Sequence, residues 1–172
     1  CPISSNNFCV APSLATMDLA STGLSSLKIS TPNSGPAKWR TLMNIERAGF
    51  QREHIDLNYS EEIGLEAAVR GIADQAEAAI RAGKVLLVLS DRQIAPGKLP
   101  VHAALAVGAV HHRLVEQGLR CDGNILVETA TARDPHHFAV LCGFGASAVY
   151  PYLAYELLAD LVRTGEVLGD LQ

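Results

Sequence analysis

The stretch that decides the fold is VLLVLSDR, at residues 85–92. Its first five residues are a continuous run of valine and leucine, which is too short for a helix and rich in residues that favour strands. Such a run is typical of a strand that is buried on both faces in a parallel sheet. The polar residues Ser90, Asp91 and Arg92 follow directly, so we expect the strand to end there.

On the N-terminal side of this strand, the sequence predicts a first strand and a long helix. Residues 54–60 alternate polar with apolar side chains, which indicates a strand with one buried face. Ser60 stands where a helix N-cap is expected, and Gly83 stands where the helix would end. The predicted apolar stripe of this helix steps by three or four residues and consists of Leu65, Val69, Ile72, Ala76 and Ile80.

On the C-terminal side, the alternation of strand and helix continues. Pro100 is expected in the first turn of a helix over residues 101–118, which Gly118 closes. Further strands are predicted at residues 124–128 and 146–150, with helices at residues 135–141 and 151–163. Successive βα units imply parallel strands joined by right-handed crossovers. The fold class is therefore α/β, and this pattern leaves open whether the units form a partial TIM barrel or a small open sheet.

The first part of the chain has a different composition. Residues 21–38 are dominated by Ser, Thr, Pro and Gly and have no apolar period, which is typical of a loop. At most a short helix is expected near residues 39–48. We therefore divide the chain into an irregular N-terminal segment, residues 1–52, and an α/β domain, residues 53–172.

The overall composition excludes several classes of protein. The chain has 14 Lys and Arg against 18 Asp and Glu, a net charge of −4. This balance argues against nucleic-acid binding, which needs clustered basic side chains. No apolar run reaches about 18 residues and no signal-peptide pattern opens the chain, so we expect no membrane span and a cytoplasmic location.

Ligands of such folds bind at the carboxyl ends of the parallel strands. The polar residues predicted at those ends are Ser90, Asp91, Arg92, Glu128, Arg133 and Tyr150. An acid, an arginine and a glutamate that converge there could bind a small anion or perform acid–base chemistry. The alternative, which we prefer, is that Asp91 and Arg92 brace a βα turn through an ion pair and backbone hydrogen bonds, because such turns are usually polar.

Two histidine pairs, His111-His112 and His136-His137, raise the hypothesis of a metal site. Adjacent helical residues point about 100° apart, so the members of one pair rarely bind one metal. Two histidines four residues apart, as in the helical metal motif H-E-x-x-H, are absent. One histidine of each pair could still meet Glu128. We prefer the structural interpretation, in which one histidine of each pair is packed and the other is near solvent, and we predict no metal ligand.

The glycines that flank Phe144, Gly143 and Gly145, resemble a phosphate-binding turn only superficially. They precede a predicted strand, whereas the phosphate-binding glycines of a dinucleotide site follow a strand and open a helix. We therefore predict that they end a helix and form a tight turn.

Four stretches in register resemble the central domain of the glutamate synthase large chain. They are L-S-D-R at residues 89–92, G-A-V-H-H at 108–112, R-D-P-H-H-F-A at 133–139, and G-F-G-A with V-Y-P-Y-L-A-Y-E between 143 and 156. Their order and spacing agree over about residues 55–158. The resemblance implies a degenerate, flavin-free relative of a TIM barrel with no catalytic, cofactor-binding or metal-binding residue of its own.

The resemblance also implies a parent enzyme, an oxidoreductase with glutamine amidotransferase activity, which makes two glutamates from glutamine, 2-oxoglutarate and reducing equivalents. An amidotransferase domain would release ammonia, and a barrel carrying FMN and an iron–sulfur cluster would use it. The central domain would connect these two neighbours and help to line the route between them. A small electron-supplying subunit is a further candidate partner.

The chain also departs from the family pattern. The family's amidotransferase nucleophile is an N-terminal cysteine followed by glycine, whereas Cys1 is followed by Pro2, so we do not expect Cys1 to be a nucleophile. No closely spaced cysteine triplet for a cluster is present. We expect an inactive segment of a larger enzyme. The alternative is a free-standing half-barrel enzyme that acts on a small anionic substrate through Asp91, Arg92 and Glu128.

Overall fold

The structure is a computed structural model that describes residues 36–45 and 49–167. The strands of its main sheet are β1 (Arg52–Asp56), β3 (Leu86–Ser90), β5 (Asn124–Glu128) and β6 (Ala148–Tyr150). They lie side by side in chain order, and every neighbouring pair is parallel. A two-stranded antiparallel ribbon, formed by β2 (Asn58–Ser60) and β4 (Lys98–Pro100), stands beside this sheet.

The helices of the described residues are α1 (Pro36–Met43), α2 (Leu65–Arg81), α3 (Ala103–Glu116), α4 (Pro135–Gly143) and α5 (Tyr152–Arg163). Helices α2, α3 and α4 each connect one strand of the main sheet to the next. This arrangement is the α/β fold of successive βα units that the sequence predicts. The strands form an open sheet within the described part of the chain and do not close into a barrel.

The strand that the valine–leucine run predicts lies in the middle of the sheet. β3 pairs with β1 on one side and β5 on the other, and all its residues are buried. Leu87 and Leu89 pack into the core shared with α2, α3 and α4, while Leu86 and Val88 belong to the core on the opposite face. The prediction of a strand buried on both faces is confirmed.

The second face of the sheet is covered by α1, which lies inside the segment predicted to be irregular. Trp39 and Leu42 of α1 are buried against this face. The predicted helix near residues 39–48 therefore exists but begins earlier, at Pro36, and ends at Met43. Residues 46–48 lie outside the described residues. The proposed division between residues 52 and 53 stays a prediction.

The start of α2 differs from the prediction. Ser60 precedes a short 3₁₀ helix, Glu61–Ile63, and makes no side-chain cap hydrogen bond. Gly64, with a φ of +77°, then redirects the chain and α2 begins at Leu65. Leu65 consequently lies at the exposed end of the helix and is not part of its core stripe. The buried residues of α2 are Ile72, Ala73, Ala76, Ala79 and Ile80.

The predicted role of Pro100 is wrong. Pro100 lies in β4 opposite Asn58, and α3 begins only at Ala103. The strand predicted at residues 54–60 is accordingly two strands, because the chain leaves the main sheet after Asp56 and joins this ribbon. The hydrogen bond from the Val101 N–H to the Leu57 carbonyl oxygen, 2.8 Å, continues the ribbon, and the Leu57 N–H donates to the Ser90 carbonyl oxygen of the main sheet at 2.8 Å. This pairing joins residues far apart in sequence, so the local pattern does not show it.

Glycines end the helices as predicted. After α2, the Gly83 N–H donates to the Ile80 carbonyl at 2.9 Å and the Lys84 N–H donates to the Ala79 carbonyl at 3.0 Å. Gly83 has a φ of +83°, which allows this left-handed termination. The same pair of hydrogen bonds recurs after α3 and α4, with Gly118 and Gly145 in the glycine position. The described helices include none with the length and apolar character needed to cross a bilayer.

Candidate functional site

The carboxyl end of the sheet carries a buried polar network. β3 and β5 are in parallel register, with Ser90 beside Glu128. The Ser90 hydroxyl donates to Glu128 Oε2 at 2.7 Å, and Arg92 Nη1 donates to Glu128 Oε1 at 3.2 Å. The structure therefore brings together Ser90, Arg92 and Glu128, three of the residues that the sequence singled out.

Arg92 extends this network to α5. Its Nη2 donates to Glu156 Oε1 at 2.8 Å, and its guanidinium lies over the ring of Tyr152 at 4.8 Å. The ion pairs of Arg92 are thus with Glu128 and Glu156, and not with Asp91 as the bracing hypothesis supposed. Because Arg92 contacts both β5 and α5, it holds α5 against the carboxyl edge of the sheet.

Asp91 is the most buried acid of this edge, with 3% of its surface exposed. Its carboxylate accepts hydrogen bonds from the Thr129 hydroxyl at 2.6 Å and from the Ala130 N–H at 3.1 Å. Burial, followed by the negative charge of Asp91 and a hydrogen bond with it, raises the pKa of Tyr152 to about 12. The phenol therefore stays neutral, and its O–H is the donor in the hydrogen bond with Asp91.

The polar side chains of this network are hydrogen-bonded to one another. Each oxygen of Glu128 accepts a hydrogen bond from a side chain, and both oxygens of Asp91 accept hydrogen bonds from the loop that follows β5. A general acid or base has to reach a substrate proton at hydrogen-bond distance. The geometry supports a brace between β3, β5 and α5, and it does not support a small-substrate enzyme that acts through Asp91, Arg92 and Glu128.

Arg133 and Tyr150 lie outside this network. Arg133 is exposed, and its backbone N–H donates to Nδ1 of His137 at 3.2 Å. The ring of Tyr150 stacks on Trp39 at 4.9 Å and on Tyr155 at 5.6 Å between centroids. Tyr150 thus links α1 to α5 through aromatic packing.

Sequence reasoning missed Asn58, Thr129, Tyr152 and Glu156, which complete the edge. Asn58 Nδ2 donates to Asp56 Oδ1 at 2.7 Å and to the Asp91 carbonyl oxygen at 3.3 Å. Thr129 could have been found from its position directly after β5. Tyr152 and Glu156 are four residues apart and so share one face of α5, which is the available signal for them.

The first histidine pair makes hydrogen bonds within the fold. His111 Nδ1 accepts a hydrogen bond from Arg120 Nε at 3.0 Å, and Arg120 also donates to the carbonyl oxygens of Gly123 and Gly145. Burial, and then the nearby Arg120 and His112, lower the pKa of His111. His112 is exposed and its Nδ1 lies 2.8 Å from the Gly108 carbonyl oxygen. One member is packed and the other exposed, as predicted.

The second pair differs from the prediction, because His136 and His137 are both exposed. They lie in the first turn of α4, a helix that Asp134 caps by accepting from the His137 N–H at 3.0 Å. The described residues contain no group of three His, Cys, Asp or Glu side chains placed to hold a metal ion. Cys1 lies outside the described residues.

The glycines near residue 144 behave as predicted. Gly145 has a φ of +114° and follows the end of α4, where its N–H donates to the Cys142 carbonyl oxygen at 3.0 Å. A Cβ at this position would lie 2.4 Å from His111 Nδ1. The position therefore needs glycine for two reasons, the left-handed backbone and the approach of the His111 ring.

Comparison with known proteins gives a family for the chain. The family model described as "Glutamate synthase central domain" matches residues 3–172. The match is wider than the resemblance at residues 55–158 and includes most of the first 52 residues.

Curated relatives agree with this match. The chain is 40% identical to the "Glutamate synthase [NADPH] large chain" of Bacillus subtilis over 141 residues, which is 82% of this chain and 9% of that protein. It is 35% identical to "Glutamate synthase [NADH]" of Schizosaccharomyces pombe over 159 residues, which is 90% of this chain and 8% of that protein. It is 43% identical to the chloroplastic "Ferredoxin-dependent glutamate synthase" of rice, Oryza sativa subsp. japonica, over 60% of this chain and 6% of that protein. The chain therefore spans less than a tenth of the length of these relatives.

Proposed function

The chain belongs to the glutamate synthase central domain family, and from that premise we propose that it acts as the connecting domain of a glutamate synthase large chain. It links an amidotransferase domain, which releases ammonia from glutamine, to a barrel that combines the ammonia with 2-oxoglutarate. FMN and an iron–sulfur cluster belong to that barrel, and a small electron-supplying subunit is a further candidate partner. The parent enzyme works in the cytoplasm.

The observation that carries the connecting role is the apolar surface of α5. Leu153, Leu157 and Leu158 are 41%, 58% and 52% exposed, although leucine is usually buried. The one buried residue of this helix is Tyr152. A surface of this kind marks a contact with another protein surface. Neighbouring domains of the same chain are the partners that the family membership supplies.

The carboxyl edge of the sheet supports the proposal that this chain takes no direct part in the reaction. Asp91 and Glu128 are the buried acids of this edge, and the donors of Ser90, Arg92 and Thr129 occupy their oxygens. We propose that these groups hold α5 in the position in which it meets the neighbouring domain. The chain alone then hydrolyses no glutamine and retains no flavin.

A chimera tests this proposal. The matching segment of the Bacillus subtilis large chain is replaced by this chain, and glutamine-dependent and ammonia-dependent glutamate synthesis are measured. The chimera should keep both activities. Replacing both Leu153 and Leu157 by Lys should lower the glutamine-dependent rate at least about fivefold and spare the ammonia-dependent rate, because only the former needs the two sites held together.

Two controls complete the experiment. Glu66→Lys changes an exposed charge on α2, far in sequence from α5, and should leave both rates unchanged. A folded chimera without glutamine-dependent synthesis, or a double lysine variant with the rate of the unmodified chimera, would contradict the connecting role.

A further inference from the structure

A cavity of about 320 Å³ adjoins the Asp91–Glu128 network, because Thr131 of its lining is hydrogen-bonded to the Thr129 hydroxyl at 2.9 Å. It opens between the N-terminal ends of α3 and α4. Its polar lining consists of His102, His136, His137 and Thr131. Its apolar lining includes Ala104, Val140 and Leu141. Neither the family match nor the connecting role assigns anything to this cavity.

Hydrogen bonds to the backbone fix the tautomer of two of these histidines. Nδ1 of His102 accepts from the Ala104 N–H at 3.3 Å, and Nδ1 of His137 accepts from the Arg133 N–H at 3.2 Å. A neutral imidazole that accepts through one nitrogen carries its proton on the other. Both rings therefore have Nε2–H groups, which are donors.

This fixed tautomer selects the chemistry of the ligand. A metal ion needs an unprotonated ring nitrogen, so the Nε2 atoms of His102 and His137 are unsuited to it. An oxyanion needs donors, and the cavity is lined by two rings that carry Nε2–H groups. The Thr131 hydroxyl is not available, because the Thr129 hydroxyl donates its own proton to Asp91 and therefore accepts the Thr131 proton at 2.9 Å. The apolar wall of Val140 and Leu141 favours an anion that also carries an aliphatic group.

We propose that this cavity binds a small aliphatic carboxylate, with the carboxylate on the imidazole N–H groups and the aliphatic part against Val140 and Leu141. Asp134 opposes the ligand, since its Oδ2 lies 3.5 Å from His137 Nδ1. Its other oxygen, Oδ1, accepts a hydrogen bond from the His137 N–H in the first turn of α4, which offsets part of the negative charge of Asp134. Binding is accordingly weak, with a Kd of roughly millimolar.

The test uses the full 172-residue chain with ¹⁵N-labelled histidine, observed by NMR during titration with sodium butyrate. Before addition, His102 and His137 should show the Nε2–H tautomer. Butyrate should then move their Nε2 signals together with the methyl signals of Val140 and Leu141. Inorganic phosphate, which lacks the aliphatic part, should bind at least about threefold more weakly.

Variants separate this site from general anion binding. The double change His102→Asn and His137→Asn removes both rings, while Asn at residue 102 still caps α3. It should weaken butyrate binding at least about fivefold. His54→Asn replaces an exposed histidine of β1, which does not line the cavity, and should leave binding unchanged. Circular dichroism melting checks that each variant is folded.

Several outcomes would overturn the proposal. An Nδ1–H tautomer at His102 or His137 would remove the donors on which it rests. Unmoved histidine signals at 50-fold the expected Kd, or equal weakening by His54→Asn, would show that the cavity is not the site. Phosphate binding as tight as that of butyrate would deny a role to the apolar wall, and stoichiometric Zn²⁺ binding that needs both histidines would replace the anion by a metal. None of these results bears on the connecting role, which the chimera tests separately.

Discussion

Helices α3 and α5 have similar flanking sequence signals but lie in opposite environments, one buried and one exposed. Each begins beyond the carboxyl end of a strand, and each is followed by a glycine with a positive φ, Gly118 or Gly165. α3 has 14 residues and buries several of them completely, including Val107, Val110 and Leu114. α5 has 12 residues and buries only Tyr152.

This difference indicates that the apolar residues of α5 form a contact surface for another protein surface and not part of the core of this fold. Leu157 and Leu158 are among its most exposed side chains, and both would be core residues if α5 packed as α3 does. Polar bonds hold α5 instead, through Arg92 and Glu156 and through the contact between Asp91 and Tyr152. The helix is fastened at its N-terminal end and left uncovered along its apolar face.

The largest expected effect contrasts a leucine of each helix. Leu114→Ala removes a fully buried side chain from α3 and should lower the free energy of unfolding by about 3 kcal/mol. Leu157→Ala, the matched change on α5, should change it by less than about 0.5 kcal/mol. Urea denaturation of the isolated chain measures both. Equal losses would mean that α5 is part of the core.

The second prediction concerns the fastening of α5. Asp91→Ala leaves the buried hydroxyls of Thr129 and Tyr152 without their acceptor and should cost about 2 kcal/mol. Amide exchange in α5 should accelerate more than in α3. Asp74→Ala removes an exposed acid of α2 that pairs with Arg113, and it should cost less than about 0.5 kcal/mol. Uniform acceleration of the two helices would show that Asp91 does not act on α5 in particular.

The third prediction concerns pH. A fall in pH should loosen α3 rather than α5. The lowered pKa of His111 means that the folded protein binds a proton there less readily than the unfolded chain. The stability from this residue is present above the unfolded pKa of about 6.5 and is lost as the pH falls through the lower folded value. Urea denaturation between pH 7.5 and 5 should show a steeper decline for the native chain than for His111→Gln.

The matched control for this prediction is His54→Gln, which changes an exposed histidine of β1. It should keep the pH dependence of the native chain. If His111→Gln and the native chain lost stability in parallel, the burial of His111 beside Arg120 would not be the source of the pH dependence.

The smallest expected effect is self-association through the uncovered face of α5. Leu153, Leu157 and Leu158 should give the isolated chain a weak, concentration-dependent tendency to associate. Sedimentation equilibrium up to about 100 μM, above the micromolar range of modest interfaces, should detect it. Leu157→Lys should reduce it, and Ile63→Lys, which changes an exposed apolar residue before α2, should not. A monomer over the whole range would weaken the interpretation of α5 as a contact surface.

The sequence predicts well what depends on local pattern. The run at residues 85–89 identified the central strand, and Gly83, Gly118 and Gly145 identified three helix ends. The errors at Ser60 and Pro100 come from pairing with distant residues: Asn58 and Pro100 face each other in a ribbon that neither local sequence indicates. The local sequence predicts a helix start at each position, and strand pairing over a long range prevents it.

The candidate site shows the same limit. Asp91, Arg92 and Glu128 could be selected because parallel strands end at one edge. Their hydrogen-bond partners could not be predicted from the sequence. Arg92 and Glu156 are 64 residues apart and meet only because α5 turns back beside β5. Whether an acid is available for chemistry depends on which donors reach its oxygens, and that information lies in the fold.

The most direct test of the connecting role is hydrogen–deuterium exchange of α5 in two contexts. Exchange is measured in the isolated chain and in the Bacillus subtilis chimera, with α3 as the internal reference. The connecting role predicts that the amides of α5 become at least about tenfold more protected in the chimera, while those of α3 exchange at the same rate in both. Equal protection of α5 in the two contexts would contradict it.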